Sequence, residues 1–528
     1  MGSGRLGAWT ARRRPEIALV VLVLVVVGPI VQLLMAHQAS RLALTAAVWD
    51  RSTFQIDAYE AMLGVDFAER DGHLYSDKAP GQPFLAAPIY GVARAVGAEP
   101  ADATPIAGDR PRFFDNYTLW WTSLWSAAVP LAVLAVLMRR FCLHVVRDER
   151  AATAAAVTVA LSTLLLPFAT VLFSHVMAAA LVYAAYLSGR DRDAPLGRLA
   201  AAGMLGGLAV VTEYTAGIVV VVLGLLILVR QGPRVLAYVA GGIPAVLVLA
   251  LYNTVAWGSP TTFSYDNSGA FADFHAQGLF GIRIPSPSLT LQVLVGERGL
   301  LTLTPIVAVG LIGLVHLARR RSTREVGVVG LVVFGAFVAV QGGWFSVTAG
   351  ASPGPRYVVA ALPFVAVGVA EMWRWSRGVV VGAGIVGAVP MLMAIFTNPL
   401  AQPSETFAAG HWAWRIANND WGRTLLTPHI PSPWAQILQL ALAGEEPDAL
   451  WRITTRTAPS DTGAPGVLDD APGPAETAAP VALRASAPTE DGEHRSTAVD
   501  PMPLVRPPPP RRRPMRAPGV PHPPLSSG

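Results

Sequence analysis

The sequence predicts an all-α integral membrane protein: a polytopic bundle of about eleven transmembrane helices with a long first outer loop and a disordered C-terminal tail. Three observations predict this class. The 528-residue chain is 52% hydrophobic and only 14% charged, whereas soluble chains carry about 25% charged residues. Apolar runs long enough to cross a bilayer recur along the chain. Short arginine clusters separate these runs.

The first element is a basic N-terminus followed by an apolar run. Residues 1–16 contain four arginines, and the run that follows covers residues 17–36. This run is longer than the core of a cleaved signal peptide, which has about 7–15 residues. We therefore expect an uncleaved first helix whose N-terminus lies in the cytoplasm.

Ten further apolar runs follow the first. The expected spans are residues 17–36, 118–138, 151–166, 168–187, 199–215, 216–229, 235–256, 299–318, 326–345, 357–373 and 379–396. Arginine clusters follow every second span, at residues 139–147, 190–198, 230–234, 319–324 and 374–377. All of them face the cytoplasm if the first helix enters from inside, as positively charged loops prefer. With an Ala- and Arg-rich, Lys-poor composition, this indicates a multi-pass protein of the bacterial inner (cell) membrane.

The segments between the spans complete the predicted organisation. Residues 17–397 form the membrane core, with outer loops at about 37–117 and 257–298. The apolar segment 82–97 is expected to be an interfacial or re-entrant helix, because a further crossing would invert all later arginine clusters. Residues 398–457 form an outer juxtamembrane region. The Pro- and Ala-rich residues 458–528 form the tail, whose composition cannot build a packed core.

Ionisable residues collect on one predicted membrane face. Charges are costly in hydrocarbon, so those within or beside apolar spans point to function. The outer ends of the spans carry His175, Glu213, Arg298 and Arg356, and the first outer loop carries Asp57, Glu60, His73, Tyr75 and Lys78. Each residue alone has an ordinary structural explanation, but their shared face favours a functional site.

Lys78 is the strongest single candidate because it is the only lysine of the chain. Elsewhere the composition uses arginine for positive charge. A compact ammonium differs from a guanidinium fork in the way it meets a phosphate oxygen. The sequence therefore predicts that Lys78 contacts phosphate.

Several classes of function are excluded. The single cysteine, Cys142, excludes an intramolecular disulfide framework and a cysteine metal site. The sequence contains no Walker A loop, no dinucleotide-binding glycine pattern and no His-Glu-x-x-His motif. The net charge of +5 comes from arginines that orient membrane helices. We therefore expect no nucleic-acid partner.

Short motifs give the chain a family likeness. The segments HLYSDKAPG at 73–81 and FQIDAY at 54–59 come first, and FSH at 173–175, TEY at 212–214, ERGLL at 297–301 and GPRY at 354–357 follow in order. Together they resemble bacterial membrane glycosyltransferases of the GT-C superfamily, most closely the protein-mannosyltransferase-like (family 39) branch. The resemblance covers residues 49–364 and stops before the tail.

This resemblance implies an inverting transfer of sugar at the outer face. The donor would be a polyprenyl-phosphate-linked sugar, the acceptor a glycan, lipid or protein, and membrane lipids would surround the site. Asp57 would be the base, with Glu60 as second choice. The paired acidic motif of the family, Asp-Glu or Asp-x-Asp, is absent from this loop, where Asp57 and Glu60 are three residues apart. The remaining candidates would bind the substrate and its phosphate: Lys78, Arg356, Arg298, His73, Tyr75, His175 and Glu213. A divalent metal at Asp57, Glu60 and His73 stays open.

Two other functions remain compatible with the sequence. A lipid-linked substrate transporter or flippase could grip the same phosphate, although such folds usually show internal repeats and polar groups near the membrane midplane. A non-catalytic membrane protein could bind polyprenyl-phosphate without turnover, and the missing paired acidic motif fits that alternative.

Overall fold

The computed structural model describes residues 3–30, 32, 34–98, 101, 117–278, 281–400, 407–417, 423–424 and 427–431. The helices are α1 (Ser3–Val27), α2 (Ala36–Arg51), α3 (Glu60–Leu63), α4 (Gly81–Ala95), α5 (Tyr117–Ser123), α6 (Val129–Val146), α7 (Glu149–Leu161), α8 (Leu165–Phe168), α9 (His175–Gly189), α10 (Leu196–Thr212), α11 (Gly217–Gln231), α12 (Val235–Trp257), α13 (Ala272–His275), α14 (Pro287–Val295), α15 (Leu300–Leu303), α16 (Ile306–Arg319), α17 (Arg324–Gly342), α18 (Leu362–Trp373), α19 (Arg377–Phe396) and α20 (Ala408–Ala417). The strands are β1 (Ala68–Arg70), β2 (His73–Tyr75), β3 (Arg423–Thr424) and β4 (Thr427–Pro431), and each consecutive pair is antiparallel.

Helix occupies part of every predicted span, which confirms the all-helical membrane class. Five segments of the described chain are long and apolar enough to cross a bilayer alone: Thr118–Val146, Tyr214–Trp257, Arg324–Gly342, Arg356–Trp373 and Arg377–Phe396. A sixth candidate is a pair bent by 99°, Pro287–Leu303 with Ile306–Arg319. The apolar helices α9 and α10 are shorter. Fewer helices therefore meet the length requirement than the eleven that hydropathy predicts.

The first outer segment is more ordered than a loop. It contains α2, α3, the β1–β2 hairpin and α4, which coincides with the predicted interfacial segment. Residues Gln38 to Ala47 of α2 are all buried. A hydrophobic cluster joins α2 and α3 to Tyr90 of α4 and to Tyr252 and Trp257 at the end of α12. This cluster fixes the segment on the ends of the membrane helices.

The membrane helices pack closely through small residues. A Cβ atom added at Gly368 of α18 would collide with the carbonyl oxygen of Gly310 in α16, and one at Gly241 of α12 with that of Ala200 in α10. Small residues at such crossings allow backbones to approach, because lipid gives little hydrophobic drive for helix association. These contacts set the positions of the helix ends.

The last predicted regions are only partly described. Helix α20 and strands β3 and β4 fall within the predicted juxtamembrane region, 398–457. The predicted disordered tail, 458–528, lies outside the described residues.

The close approach of α16 and α18 predicts an unequal response to one added methyl group. Gly368→Ala should destabilise the protein by about 1–3 kcal/mol, as overpacking does. Gly382→Ala in α19 is the matched control, since nothing lies within 4 Å of the added atom. Melting temperatures in detergent should fall for the first variant alone. Equal melting temperatures for the two variants would contradict this packing.

Candidate functional site

A cavity of about 790 Å³ opens where several helices begin or end. It is lined by the start of α2, the start of α9, the residue that follows α10 and the residues that precede α18. Three of these helices, α9, α10 and α18, carry arginines at their other ends. Its ionisable lining residues are His37, Arg41, Asp66, Lys78, His175, Glu213, His275, Glu297, Arg298 and Arg356.

Lys78 lies between two carboxylates. Its Nζ donates to Asp66 Oδ1 at 2.8 Å and to Asp77 Oδ2 at 2.6 Å. Burial lowers the pKa of Lys78, but the two carboxylates raise it by more, so the net pKa lies above its ordinary value. Burial raises the pKa of Asp77, although Lys78 opposes this. With all three groups ionised the cluster carries one net negative charge, so Lys78 here organises carboxylates and is not a free cation for phosphate.

The β1–β2 hairpin places Asp66 in this cluster. Asp71 and Gly72 both have positive φ and form its two-residue turn, as Asp-Gly does in type I′ turns. The register pairs Ala68 with Tyr75. If this pairing is continued two residues beyond the strands, Asp66 lies opposite Asp77 and next to Lys78.

Arg41 is the most deeply buried cation of the cavity, with 2% of its surface exposed. Its Nη2 donates to Ser174 Oγ at 2.9 Å, and Ser174 Oγ donates to Glu213 Oε2 at 2.7 Å. His175 Nδ1 lies 3.3 Å from the same carboxylate oxygen. Nε and Nη1 of Arg41 have no hydrogen-bond partner within the described part of the chain. Arg41 therefore keeps hydrogen-bonding capacity that the protein does not use.

His37 contacts the same guanidinium. Arg41 Nη2 lies 3.3 Å from His37 Nε2. An arginine can only donate, so Nε2 must be the unprotonated nitrogen of a neutral imidazole. Burial first, and then the positive charges of Lys78, Arg41 and Arg356, lower the pKa of His37 well below its ordinary value. His37 is thus neutral at pH 7 and adds no positive charge.

Arg356 is a second arginine of the cavity, and it forms no ion pair with a carboxylate of the described residues. It begins the 3₁₀ segment Arg356–Ala361 and lies over the Tyr357 ring at 5.5 Å. Its Nε has no hydrogen-bond partner among the residues described. Gln341 holds this segment: its Oε1 accepts from Tyr357 N at 3.1 Å and its Nε2 donates to Ser346 O at 3.3 Å.

Five of the nine predicted site residues line the cavity, and four do not. Lys78, His175, Glu213, Arg298 and Arg356 are brought together. Asp57, Glu60, His73 and Tyr75 are absent from the lining.

Asp57 has a structural role in the hairpin. Its Oδ1 accepts from Leu74 N at 2.8 Å, and its Oδ2 lies 3.3 Å from His73 Nδ1. Asp57 and His73 are about half exposed, and Glu60 is exposed at the start of α3. Tyr75 packs against Trp257, with ring centroids 5.1 Å apart. The described residues contain no group of three potential ligands placed to hold a metal.

Comparison with known proteins gives structural matches only. No family model and no curated protein matches the chain. ArnT from Cupriavidus metallidurans, in the apo state, matches with 16% identity and a TM-score of 0.44, over 78% of this chain and 70% of that one. AglB from Archaeoglobus fulgidus, an oligosaccharyltransferase in complex with an inhibitory peptide and a dolichol-phosphate, matches with 13% identity and a TM-score of 0.36, over 75% and 56%.

A second Archaeoglobus fulgidus oligosaccharyltransferase structure, tethered with an acceptor peptide, matches with 13% identity and a TM-score of 0.38, over 85% of this chain and 58% of that one. The chain thus spans little more than half the length of the two oligosaccharyltransferases.

The neutral state of His37 predicts a pH-dependent stability. The unfolded chain binds a proton at His37 below pH 6.5, whereas the folded chain resists it, so stability should fall as the pH drops below about 6.5. His37→Gln keeps an acceptor for Arg41 and should reduce this fall. Melting temperatures in detergent between pH 7.5 and 5.0 measure it. The exposed His144 supplies a control, because His144→Gln should keep the wild-type dependence. An unchanged fall in His37→Gln would contradict the assignment.

Proposed function

We propose that this chain is a membrane glycosyltransferase that moves a sugar from a polyprenyl-phosphate donor to an acceptor at the non-cytoplasmic face, with inversion. One observation carries the proposal. Arg41 and Arg356 line the same cavity, and neither forms an ion pair with a carboxylate in the described structure. Arg41 is buried, and burying a charge without an oppositely charged partner is costly. An anionic ligand with several acceptor oxygens, such as a lipid phosphate, would remove that cost.

The two guanidinium groups would hold the donor phosphate. Negative charge grows on the leaving oxygen as the sugar departs, and fixed donors at a water-poor site stabilise such charge strongly. Arg298, which is 7% exposed and lines the same cavity, adds positive charge. Lys78 serves this step indirectly, because it orients the carboxylate that would act as base.

Asp66 is the base in this proposal. It lines the cavity, its side chain is 14% exposed, and Lys78 holds one of its oxygens. It would take the proton of the acceptor hydroxyl. The acceptor oxygen then bonds to the anomeric carbon, the bond from that carbon to the phosphate oxygen breaks, and the electron pair leaves with the polyprenyl phosphate. Attack opposite the leaving phosphate inverts the anomeric centre.

The proposed face follows from the arginines. Cavity residues and arginine clusters occupy opposite ends of α9, α10 and α18. Because arginine-rich ends face the cytoplasm, the cavity would face the other side. Polyprenyl-linked sugars would enter it from the surrounding lipid.

Loss of either cavity guanidinium, Arg41 or Arg356, should abolish most of the activity. Arg41→Gln and Arg356→Gln should each lower sugar transfer about 10²–10³-fold, as loss of one charge-stabilising donor does. Transfer of labelled sugar from polyprenyl-phospho-mannose and polyprenyl-phospho-glucose to membrane acceptors measures this. Arg192→Gln, at an exposed arginine of the opposite end, is the control. Wild-type rates of sugar transfer in both cavity variants would contradict the proposed phosphate site. If the wild-type protein moved the lipid across vesicles without transferring sugar, a flippase would be favoured.

The two carboxylates of the first outer segment should respond differently. Asp66→Asn should lower kcat at least about 100-fold while donor binding persists, since a general base contributes about 10²–10⁴-fold. Asp57→Asn keeps an oxygen that accepts from Leu74 N, and it should retain transfer within about tenfold. Single-turnover transfer and donor binding, measured in nanodiscs, separate the two effects. The reverse ranking would return the role of base to Asp57.

A further inference from the structure

Aromatic rings form one side of the cavity. Tyr265 and His275 stack with centroids 4.3 Å apart and planes within 7° of parallel. His275 lies 5.7 Å from Trp344, and Trp344 lies 5.1 Å from Tyr357. All four residues line the cavity. We call Tyr265, His275, Trp344 and Tyr357 the aromatic wall.

Two polar atoms beside this wall have no partner in the protein. Trp344 is 4% exposed, and its indole Nε1 is buried without a hydrogen-bond partner in the described part of the chain. The Oγ of Ser346, two residues further on, is likewise buried and unpartnered. Both residues line the cavity. Leaving a buried N–H or hydroxyl without a partner is costly, so both atoms would gain a hydrogen bond from a ligand that supplies oxygen.

We propose that the aromatic wall with Ser346 is the subsite for the donor sugar ring, a hydroxylated pyranose. The inference rests on the proposed function and names the part of the substrate that this side of the cavity takes. The C–H face of the ring would lie on the aromatic surface, while its hydroxyls would accept from Trp344 Nε1 and pair with Ser346 Oγ.

The wall is placed for the sugar that is bonded directly to the phosphate. Arg356, a proposed phosphate ligand, lies 5.5 Å from the Tyr357 ring, and Trp344 is the next ring of the wall. A sugar stacked on Trp344 would therefore be separated from the phosphate at Arg356 by the ring of Tyr357 alone. A polyprenyl chain would fit an aromatic surface but has no oxygen for the indole N–H or for Ser346. The unpaired polar atoms thus favour sugar over lipid chain.

The test compares lipids that differ only by the sugar. Binding of polyprenyl phosphate, polyprenyl-phospho-mannose and polyprenyl-phospho-glucose of equal chain length is measured in nanodiscs. Wild type should bind at least one sugar-bearing lipid more tightly than the bare phosphate. Trp344→Phe keeps the ring and removes the N–H, and Ser346→Ala removes the hydroxyl. Each should weaken binding of that lipid about tenfold and change binding of the bare phosphate less than about twofold.

The controls separate this inference from the proposed function. Trp414→Phe changes a tryptophan that is 58% exposed and absent from the cavity lining, and it should bind all three lipids as wild type does. Three results would overturn the subsite. Trp344→Phe and Ser346→Ala bind the sugar-bearing lipid as tightly as wild type, or they weaken binding of the bare phosphate equally. In the third, wild type binds neither sugar-bearing lipid more tightly than the bare phosphate. If Arg41→Gln binds the bare phosphate as wild type does, the proposed function itself falls, whatever Trp344→Phe shows.

Discussion

The burial of Arg41 is the interaction on which the site depends. This residue of α2 is 2% exposed. Its guanidinium donates to Ser174, the residue before α9, and Ser174 donates in turn to Glu213, the residue after α10. Removing a guanidinium from water is costly. The protein offsets only part of that cost, because Nε and Nη1 of Arg41 have no hydrogen-bond partner in the described structure. Arg356 lines the same cavity and adds to this demand for negative charge, which an anionic ligand would meet.

The cavity has two chemically different sides. One carries the guanidinium groups of Arg41 and Arg356 and the Lys78–Asp66–Asp77 cluster, and the other carries the aromatic wall. Such a division suits a ligand with an anionic centre joined to a ring of mixed polarity. A lipid-phosphate sugar has this form, and the carboxylate of Asp66 adds a group that could take a proton from a second substrate.

The sequence predicts the helical class and much of the cavity, and the reason is topological. Arginine clusters define one membrane face, so His175, Glu213, Arg298 and Arg356 must share the other. Lys78 is singled out by composition, because it is the only lysine of the sequence. In the structure its ammonium forms ion pairs with Asp66 and Asp77.

The residues that hydropathy misses depend on local geometry. Arg41 falls in a segment predicted as loop, and only the start of α2 at Ala36 places it one turn after His37. Asp66 depends on hairpin register, for which the Asp71-Gly72 pair was the available signal. Asp57 also depends on the hairpin, because its carboxylate accepts a hydrogen bond from Leu74 N of β2 and does not line the cavity.

A structure of the protein in nanodiscs with bound polyprenyl phosphate tests the central claim most directly. The account predicts phosphate density with oxygens about 3 Å from nitrogens of Arg41 and Arg356. Phosphate bound at the arginine-rich helix ends, or beside Asp57 outside the cavity, would contradict it.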